Sequence, residues 1–129
     1  MEQFTLRTPR RVAMVEITGQ VQSAVTKSGV KDGLCVVCVP HTTAGVTISE
    51  NADPSVCRDV EATLSKLAPH DGDYSHGEGN ADAHVKSVLV GQSVTLPVSG
   101  GELAFGTWQG IFFCEFDGPR TRTVNVQVK

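Results

Sequence analysis

A long apolar run near the C-terminal end, residues 107–116, constrains the fold of this chain more than any other feature. Hydrophobic side chains occupy both alternating sets of positions in this run, so a strand formed here would be largely apolar on both faces. Strands of that kind lie in the middle of a sheet and are covered on both sides. We therefore expect a layered fold with this strand in a central position.

Shorter alternating patterns predict six more strands, separated by turns rich in glycine or proline. These strands are expected at residues 3–7, 11–17, 34–39, 46–49, 94–98 and 121–128. Apolar residues at helical spacing predict three helices, which begin near residues 18, 54 and 82. Strands and helices alternate in mixed order over 129 residues, which indicates a single α+β domain, residues 1–129.

Two of the predicted helices have recognisable start signals. Asp53 is a favourable N-cap, and Pro54 suits the first position of the helix that follows. The apolar stripe of that helix consists of Val56, Val60, Leu64 and Leu67. We expect Asp82 to cap the third helix. The expected buried side of the third helix consists of Val85, Val88 and Leu89.

Charge and hydropathy exclude several classes of partner. The formal net charge is −3, and the broad basic face that a nucleic acid requires is missing. No apolar stretch approaches the roughly 18 residues of a membrane span, and the first residues lack the pattern of a signal peptide. The four cysteines are interpreted as packed, reduced thiols, which predicts a cytoplasmic location.

The densest polar segment, residues 76–84, contains two imidazoles, two carboxylates and one amide. Imidazole and carboxylate groups bind zinc, whereas carboxylates alone suit magnesium. The spacing of eight residues between His76 and His84 matches no zinc motif. The segment is therefore interpreted either as part of a metal site or as a polar surface loop with unrelated histidines.

The same segment could instead bind an anion. Glycines lead into the helix that begins near residue 82, and free N–H groups at a helix start favour phosphate. Lys86 adds positive charge, whereas Asp82 would repel an anion unless a metal ion lay between them. Glu78 and Asp82 could hold such an ion.

His41 is a second candidate for chemistry because it follows a buried strand and precedes Thr42 and Thr43. Loops held at strand ends by a rigid scaffold often carry function. His41 could act as an acid, a base or a ligand, or as a turn histidine bonded to a backbone carbonyl. Asp59 lies on the helix after Pro54, where a solvated acid is the alternative to a functional one.

Two polar residues interrupt the long apolar strand. Gln109 and Glu115 share one face but lie six residues apart, which separates them by roughly 20 Å. One copy of the strand cannot easily bring both to one ion. The alternative for Glu115 is an ion pair with Arg120 or Arg122 across the following turn.

Several blocks of the chain resemble the YjbQ-like family, in the expected order and over nearly the whole length. These blocks are residues 39–45, 50–54, 74–86, 106–112 and 115–120. The resemblance implies a mixed-sheet α+β fold assembled as a homotrimer. Family members are described as secondary thiamine-phosphate synthases, which implies joining a hydroxymethylpyrimidine pyrophosphate to a thiazole phosphate with release of pyrophosphate.

The resemblance also implies a site at the positions of His41, Asp59, His76, Glu78 and His84. Residue type and position extend this site to further polar side chains. The residues expected to be catalytic are His41, Asp59 and His84. A divalent ion, Mg²⁺ or Zn²⁺, is expected at His41, His76, Glu78 and His84. Contacts to a phosphorylated small molecule are expected from Thr42, Thr43, Asn80, Lys86, Gln109 and Arg120.

This hypothesis requires the imidazole rings at positions 41, 76 and 84 to converge in one pocket, within one subunit or between adjacent subunits. Two alternatives remain open at this stage. One is a metal- or anion-binding protein without turnover, and the other is a metal-dependent hydrolase. A bound nucleic acid or membrane is expected in neither case.

Overall fold

The computed structural model describes all of residues 1–129 and contains eight strands and three helices. The strands are β1 Glu2–Arg7, β2 Ala13–Glu16, β3 Gly33–Cys38, β4 Ala44–Glu50, β5 Ser93–Ser99, β6 Glu102–Leu103, β7 Gln109–Glu115 and β8 Thr121–Val128. The helices are α1 Thr18–Ser28, α2 Pro54–Leu67 and α3 Ala81–Val90. The predicted α+β class is confirmed, and only the short β6 was not predicted. None of the helices combines the length and apolar composition needed to cross a membrane.

Strand β7 is the middle strand of a three-stranded sheet ordered β2-β7-β4, in agreement with the prediction of a central position. Its Ile111 and Phe113 side chains belong to the main hydrophobic core. On the other face, Cys114 packs in a smaller cluster with Ala83 of α3, and Leu64 of α2 lies against it. This coverage on both sides explains why both alternating sets of residues are apolar.

The second sheet has five strands ordered β1-β8-β3-β5-β6, and all of its pairs are antiparallel. Strand β3 lies at its centre, where Val37 opposes Val126 of β8 and Val94 of β5. Along β3 the residues alternate between buried Cys35 and Val37 and the more exposed positions between them. The sheet therefore has one inner face, which joins the main core.

The main core lies between the two sheets and is closed by α1. Its sixteen buried residues are Ile17, Val21, Ala24, Val25, Cys35, Val37, Val39, Ala44, Val46, Leu96, Val98, Leu103, Ile111, Phe113, Val124 and Val126. Helix α1 ends where Gly29 takes a left-handed conformation with φ 73°, and the Gly29 N–H donates to the Thr26 carbonyl. A glycine suits this position because it lacks the Cβ that disfavours positive φ.

Helix α2 begins as predicted but is less buried than its sequence suggested. The Asp53 side chain accepts a hydrogen bond of 2.9 Å from the Ser55 N–H, and Pro54 occupies the first turn. No residue of α2 is fully buried, and Leu67, at the end of the predicted stripe, is 69% exposed. In a single chain, the stripe of α2 is therefore only partly covered.

Helix α3 corrects two predictions. Asp82 is not its cap, because the helix begins at Ala81 after Asn80, and the Asp82 carboxylate points into the protein. The predicted buried side is also wrong. The exposed residues are Val85, Val88 and Leu89, whereas the buried ones are Ala81, Asp82, Ala83, Lys86 and Ser87.

The physical reason for this inversion is close packing of α3 against β4. Ser87 Oγ donates a hydrogen bond of 2.6 Å to the Ala44 carbonyl oxygen. A Cβ added to Gly45 would lie 2.5 Å from the Gly91 carbonyl oxygen, which leaves no room for a side chain there. Small residues on both elements allow this approach. The ion pair between Asp82 and Lys86 offsets the desolvation cost that either charge would have if it were buried alone.

Candidate functional site

An open pocket of about 940 Å³ lies where the β3–β4 loop, the start of β8 and α3 meet. The residues that line it come from three segments of the chain that are distant in sequence. They are Val39, Pro40, His41, Thr42, Thr43, Glu78, Asn80, His84, Ser87, Val88, Gln92, Asp117, Arg120 and Arg122. The lining is mostly polar, which suits a small polar or charged ligand.

A buried ion pair between Glu115 and Arg122 forms the base of the pocket. Arg122 Nε donates to Glu115 Oε1 at 2.8 Å, and Arg122 Nη2 also bonds Glu115 Oε2. The same Nη2 donates to Thr43 Oγ1 at 2.8 Å, which ties the β3–β4 loop to β8. The sequence left this pairing open as an alternative for Glu115, and the structure confirms it with Arg122 as the partner.

Further donors complete the environment of Glu115. Thr8 Oγ1 donates to Oε1 at 2.8 Å, and the N–H groups of Phe116 and Asp117 donate to Oε2 at 3.0 Å each. Burial would raise the pKa of Glu115, but the hydrogen bonds from Arg122, the Asp117 N–H and Thr8 outweigh it and lower the pKa below its usual value. Glu115 is therefore a fixed carboxylate.

His41 is held at the pocket wall by the backbone of β8. Its Nε2 accepts a hydrogen bond of 3.0 Å from the Thr123 N–H. Burial, followed by the charge of Arg122, lowers the pKa of His41 below its usual value. The ring is therefore neutral at physiological pH.

A second charged network joins the segment between β1 and β2 to α3. Arg11 donates to both oxygens of Asp82 at 3.0 and 3.1 Å, and Lys86 Nζ lies 2.9 Å from Asp82 Oδ2. Burial opposes ionisation of Asp82, but hydrogen bonds from Arg11 and Lys86 lower its pKa to about 2. Lys86 is only 1% exposed, so its ammonium group binds Asp82 and does not line the pocket where the sequence predicted a phosphate contact.

Asp117 connects this network to the pocket. Its Oδ2 accepts from Asn80 Nδ2 at 2.9 Å and from Arg120 Nη2 at 3.0 Å. Its Oδ1 lies 4.0 Å from Arg11. The amide oxygen of Asn80 is buried and has no hydrogen-bond partner in the chain.

The structure brings together most of the residues that were predicted as metal ligands. His41, Glu78 and His84 line the pocket, and the ring of His76 lies edge-on to that of His84 at 5.1 Å between centroids. His76 Nε2 is 3.7 Å from Glu78 Oε2. However, no group of three or more His, Cys, Asp or Glu side chains is arranged to hold a metal ion. The predicted ligands therefore converge without forming a metal centre in a single chain.

Two predicted site residues lie elsewhere. Asp59 is exposed on α2, in a shallow depression of about 330 Å³ outside the pocket. Gln109 pairs with Glu50 at one end of β7, and its side chain accepts from the Gly106 N–H at 2.8 Å, whereas Glu115 lies at the other end. Of the predicted phosphate contacts, Thr42, Thr43, Asn80 and Arg120 line the pocket.

Asp117 is a residue of the site that was not predicted from the sequence. The Asp117-Gly118-Pro119 segment was interpreted only as a turn, because Asp, Gly and Pro are typical turn residues. Asp117 and Asn80 are 37 residues apart in the chain. They come together only because the β7–β8 connection packs against the segment before α3. A carboxylate three residues before the first of two nearby arginines, Arg120 and Arg122, was the one available signal.

The fold and the pocket together define a class of protein. The model of the family described as UPF0047 protein YjbQ-like matches residues 2–129, so the chain belongs to the YjbQ-like UPF0047 family. This finding confirms the resemblance inferred from the sequence blocks.

Individual relatives agree with this assignment. A UPF0047 protein of Methanocaldococcus jannaschii is 52% identical over 125 residues, which cover 97% of this chain and 91% of the relative. The UPF0047 protein YugU of Bacillus subtilis is 43% identical over 129 residues and covers 99% and 98%. A crystal structure of a YjbQ/UPF0047 family protein from Clostridium acetobutylicum has a TM-score of 0.98 at 50% identity, with full coverage of both chains.

Removal of the Glu115 carboxylate should destabilise the protein strongly. In Glu115→Ala the buried Arg122 guanidinium loses its counter-charge, which typically costs about 3–5 kcal/mol. Guanidinium chloride unfolding followed by circular dichroism would measure this loss. Glu2→Ala is the matched control, because Glu2 forms an exposed pair with Lys27 at 3.4 Å and its removal should change stability by less than about 1 kcal/mol.

The pH dependence gives a second readout of the same pair. The lowered pKa of Glu115 means that its stabilising effect is complete above its unfolded-state pKa and is lost as pH falls through the lower folded-state value. The stability difference between wild type and Glu115→Gln should therefore be constant near neutral pH and shrink in acid. A difference that grew as pH fell would contradict this assignment.

Proposed function

We propose that the pocket binds the phosphate or pyrophosphate group of a small molecule. The observation that carries this proposal is the position of Arg120. Its Nε and one N–H of Nη2 bond Asp117, which orients the guanidinium, while Nη1 has no partner in the chain. Arg120 lines the pocket beside the exposed hydroxyl of Thr42. A planar fork with unused donors is well suited to phosphate oxygens.

The charge of the surrounding network supports an anionic ligand. Arg11, Lys86, Arg120 and Arg122 are the bonded cations, and Asp82, Glu115 and Asp117 are their carboxylate partners. One positive charge in this network is therefore not balanced by a bonded carboxylate. Glu78 adds a negative charge, but its side chain is 76% exposed, so solvent screens it.

The reaction we propose is the transfer implied by the family resemblance, in which a hydroxymethylpyrimidine pyrophosphate and a thiazole phosphate form thiamine phosphate. The thiazole ring nitrogen uses its lone pair to form a bond to the pyrimidine methylene carbon. The bond between that carbon and the pyrophosphate oxygen breaks, and pyrophosphate leaves with the bonding electrons. Arg120 and Thr42 would stabilise the negative charge that develops on the leaving group. His84, whose ring makes no hydrogen bond within the chain, is the residue we propose as the acid that donates a proton to the leaving pyrophosphate.

A divalent metal ion and a homotrimer belong to the same proposal but have different support. Glu78, His76 and His84 offer metal-binding atoms without a three-ligand centre, so we assign no step of the reaction to an ion.

The trimer is supported by the outer face of α3, where Val88 is 79% and Leu89 is 56% exposed beside the pocket. A cytoplasmic location is supported by the four cysteines, all of which are free thiols. Burial also raises the pKa of the Cys114 thiol to about 12.

Binding of inorganic pyrophosphate is the first test. Calorimetric titration of the full chain, in buffer with EDTA and again with MgCl₂, should detect binding, and Arg120→Ala should weaken it about tenfold or more because a charge-assisted hydrogen bond is lost. Arg58→Ala is the control, since it makes the same charge change at an exposed position of α2 outside the pocket. Equal weakening by both variants would indicate general electrostatics and contradict a specific role for Arg120.

Turnover is the second test. Purified protein incubated with the two proposed substrates and MgCl₂ should produce thiamine phosphate and pyrophosphate, measured by chromatography. His84→Ala should reduce kcat/KM about 100-fold or more. Asp59→Ala should retain activity because Asp59 lies outside the pocket.

Two other results would support the alternative functions. Release of pyrophosphate without thiazole phosphate would indicate a hydrolase. Pyrophosphate binding without any product would indicate a binding protein.

Assembly is the third test. Size-exclusion chromatography with light scattering should give the mass of a trimer, about three times the chain mass of 13.7 kDa. Val88→Glu should lower that mass without unfolding the chain, because Val88 is exposed in the isolated subunit. Wild type that elutes as a monomer would contradict the proposed assembly.

A further inference from the structure

We infer that His41 is a fixed, neutral hydrogen-bond donor that presents its Nδ1–H to an oxygen of the bound ligand, and is neither a metal ligand nor a general base. The identity of that ligand as a phosphate compound rests on the proposed function above. The protonation pattern of the ring does not, because it follows from contacts within the chain.

The first step concerns the nitrogen that faces β8. Nε2 of His41 lies 3.0 Å from the Thr123 backbone nitrogen, and a backbone N–H can only donate. Nε2 must therefore accept with its lone pair. A neutral imidazole has one proton, so that proton is on Nδ1.

The second step concerns the other nitrogen. Nδ1 makes no hydrogen bond within the chain, and it is not among the buried polar atoms that lack a partner. The ring also lines the pocket, in which Arg120 and Thr42 present their donors. The Nδ1–H group is therefore available to the pocket, where it adds one uncharged donor to the donors of Arg120 and Thr42.

The third step excludes the alternative protonation states. If Nδ1 bound a metal ion or acted as a base, it would need a free lone pair, and the ring proton would then be on Nε2. The Nε2–H group would point at the Thr123 N–H, and two donors cannot bond each other. The imidazolium form also has a proton on Nε2 and meets the same clash. The charges nearby act in the same direction, since Arg122 and Arg120 disfavour a cationic ring and Glu115, which favours it, is already paired with Arg122.

This assignment gives different roles to two histidines of the pocket, His41 and His84. His41 has one nitrogen bonded to the backbone, whereas neither nitrogen of His84 is hydrogen-bonded within the chain, and the His84 ring lies edge-on to that of His76. His41 can therefore position an oxygen atom. His84 is left as the histidine that is able to exchange protons.

Nitrogen NMR of the wild-type chain tests the protonation pattern directly. Long-range proton–nitrogen correlation spectra of the uniformly ¹⁵N-labelled protein at pH 7.5, assigned with His41→Gln, should show a protonated Nδ1 and an unprotonated Nε2 for His41. Addition of ZnCl₂ should leave these two resonances unchanged. A protonated Nε2, an imidazolium ring or zinc coordination at Nδ1 would overturn the inference.

A matched pair of variants tests the role in binding. His41→Asn retains an amide donor near the position of Nδ1, whereas His41→Gln retains an acceptor near Nε2 and removes the pocket donor. With inorganic pyrophosphate as the probe, His41→Gln should weaken binding about tenfold or more, and His41→Asn should weaken it clearly less. Equal loss in both variants, or a larger loss in His41→Asn, would overturn the proposed donor role.

The two experiments also separate this inference from the proposed function. If wild type binds no pyrophosphate, the proposed ligand class is wrong, and the NMR spectra alone decide the state of His41. If wild type binds pyrophosphate but the spectra show a protonated Nε2, the ligand class stands and the inference on His41 fails.

Discussion

The buried ion pair between Glu115 and Arg122 is the interaction on which the rest of the site depends. Glu115 ends β7, which is the central strand of one sheet, and Arg122 is the second residue of β8 in the other. The pair therefore joins the two sheets at the edge of the pocket. Through Thr43 and Thr8, it also fixes the β3–β4 loop and the end of β1.

Burial of two charges is tolerated here because both oxygens of the Glu115 carboxylate accept several hydrogen bonds. Glu115 accepts from Arg122, from Thr8 and from two backbone N–H groups, so neither carboxylate oxygen is left without a donor. A pair satisfied in this way contributes little net stability, but it is very costly to break and it specifies one arrangement of the surrounding loops. The same rigidity holds His41 in place, because the Thr123 N–H that donates to His41 belongs to the residue next to Arg122.

Much of the fold was predictable because its signals are local. The alternation of apolar residues in β3, β5 and β8, the Asp53–Pro54 helix start and the Gly29 helix end all depend on nearest neighbours in the chain. Helix α3 shows the limit of such signals. It carries an apolar stripe and a second stripe of Ala83, Asp82, Lys86 and Ser87, and only the close approach of β4 and the partnership with Arg11 decide which one is buried.

The candidate site was predictable in part for the same reason. The chemical nature of His41, Glu78, Asn80, His84 and Arg120 could be inferred from residue type and loop position, and all of them line one pocket. Asp59 and Gln109 were placed there by resemblance, but helix direction and strand length keep them away. Lys86 was predicted from charge alone, which carries no information on whether a neighbouring acid will take that charge.

The class of fold, the central position of β7 and the set of polar residues available for chemistry follow from side-chain type and periodicity, so they can be inferred without coordinates. Which of these residues meet in space depends on the three-dimensional packing. Contacts between residues 41 and 123, 80 and 117, or 11 and 82 depend on sheet pairing and helix packing across many intervening residues. Those contacts also set the protonation of His41 and Asp82, which residue type alone leaves open.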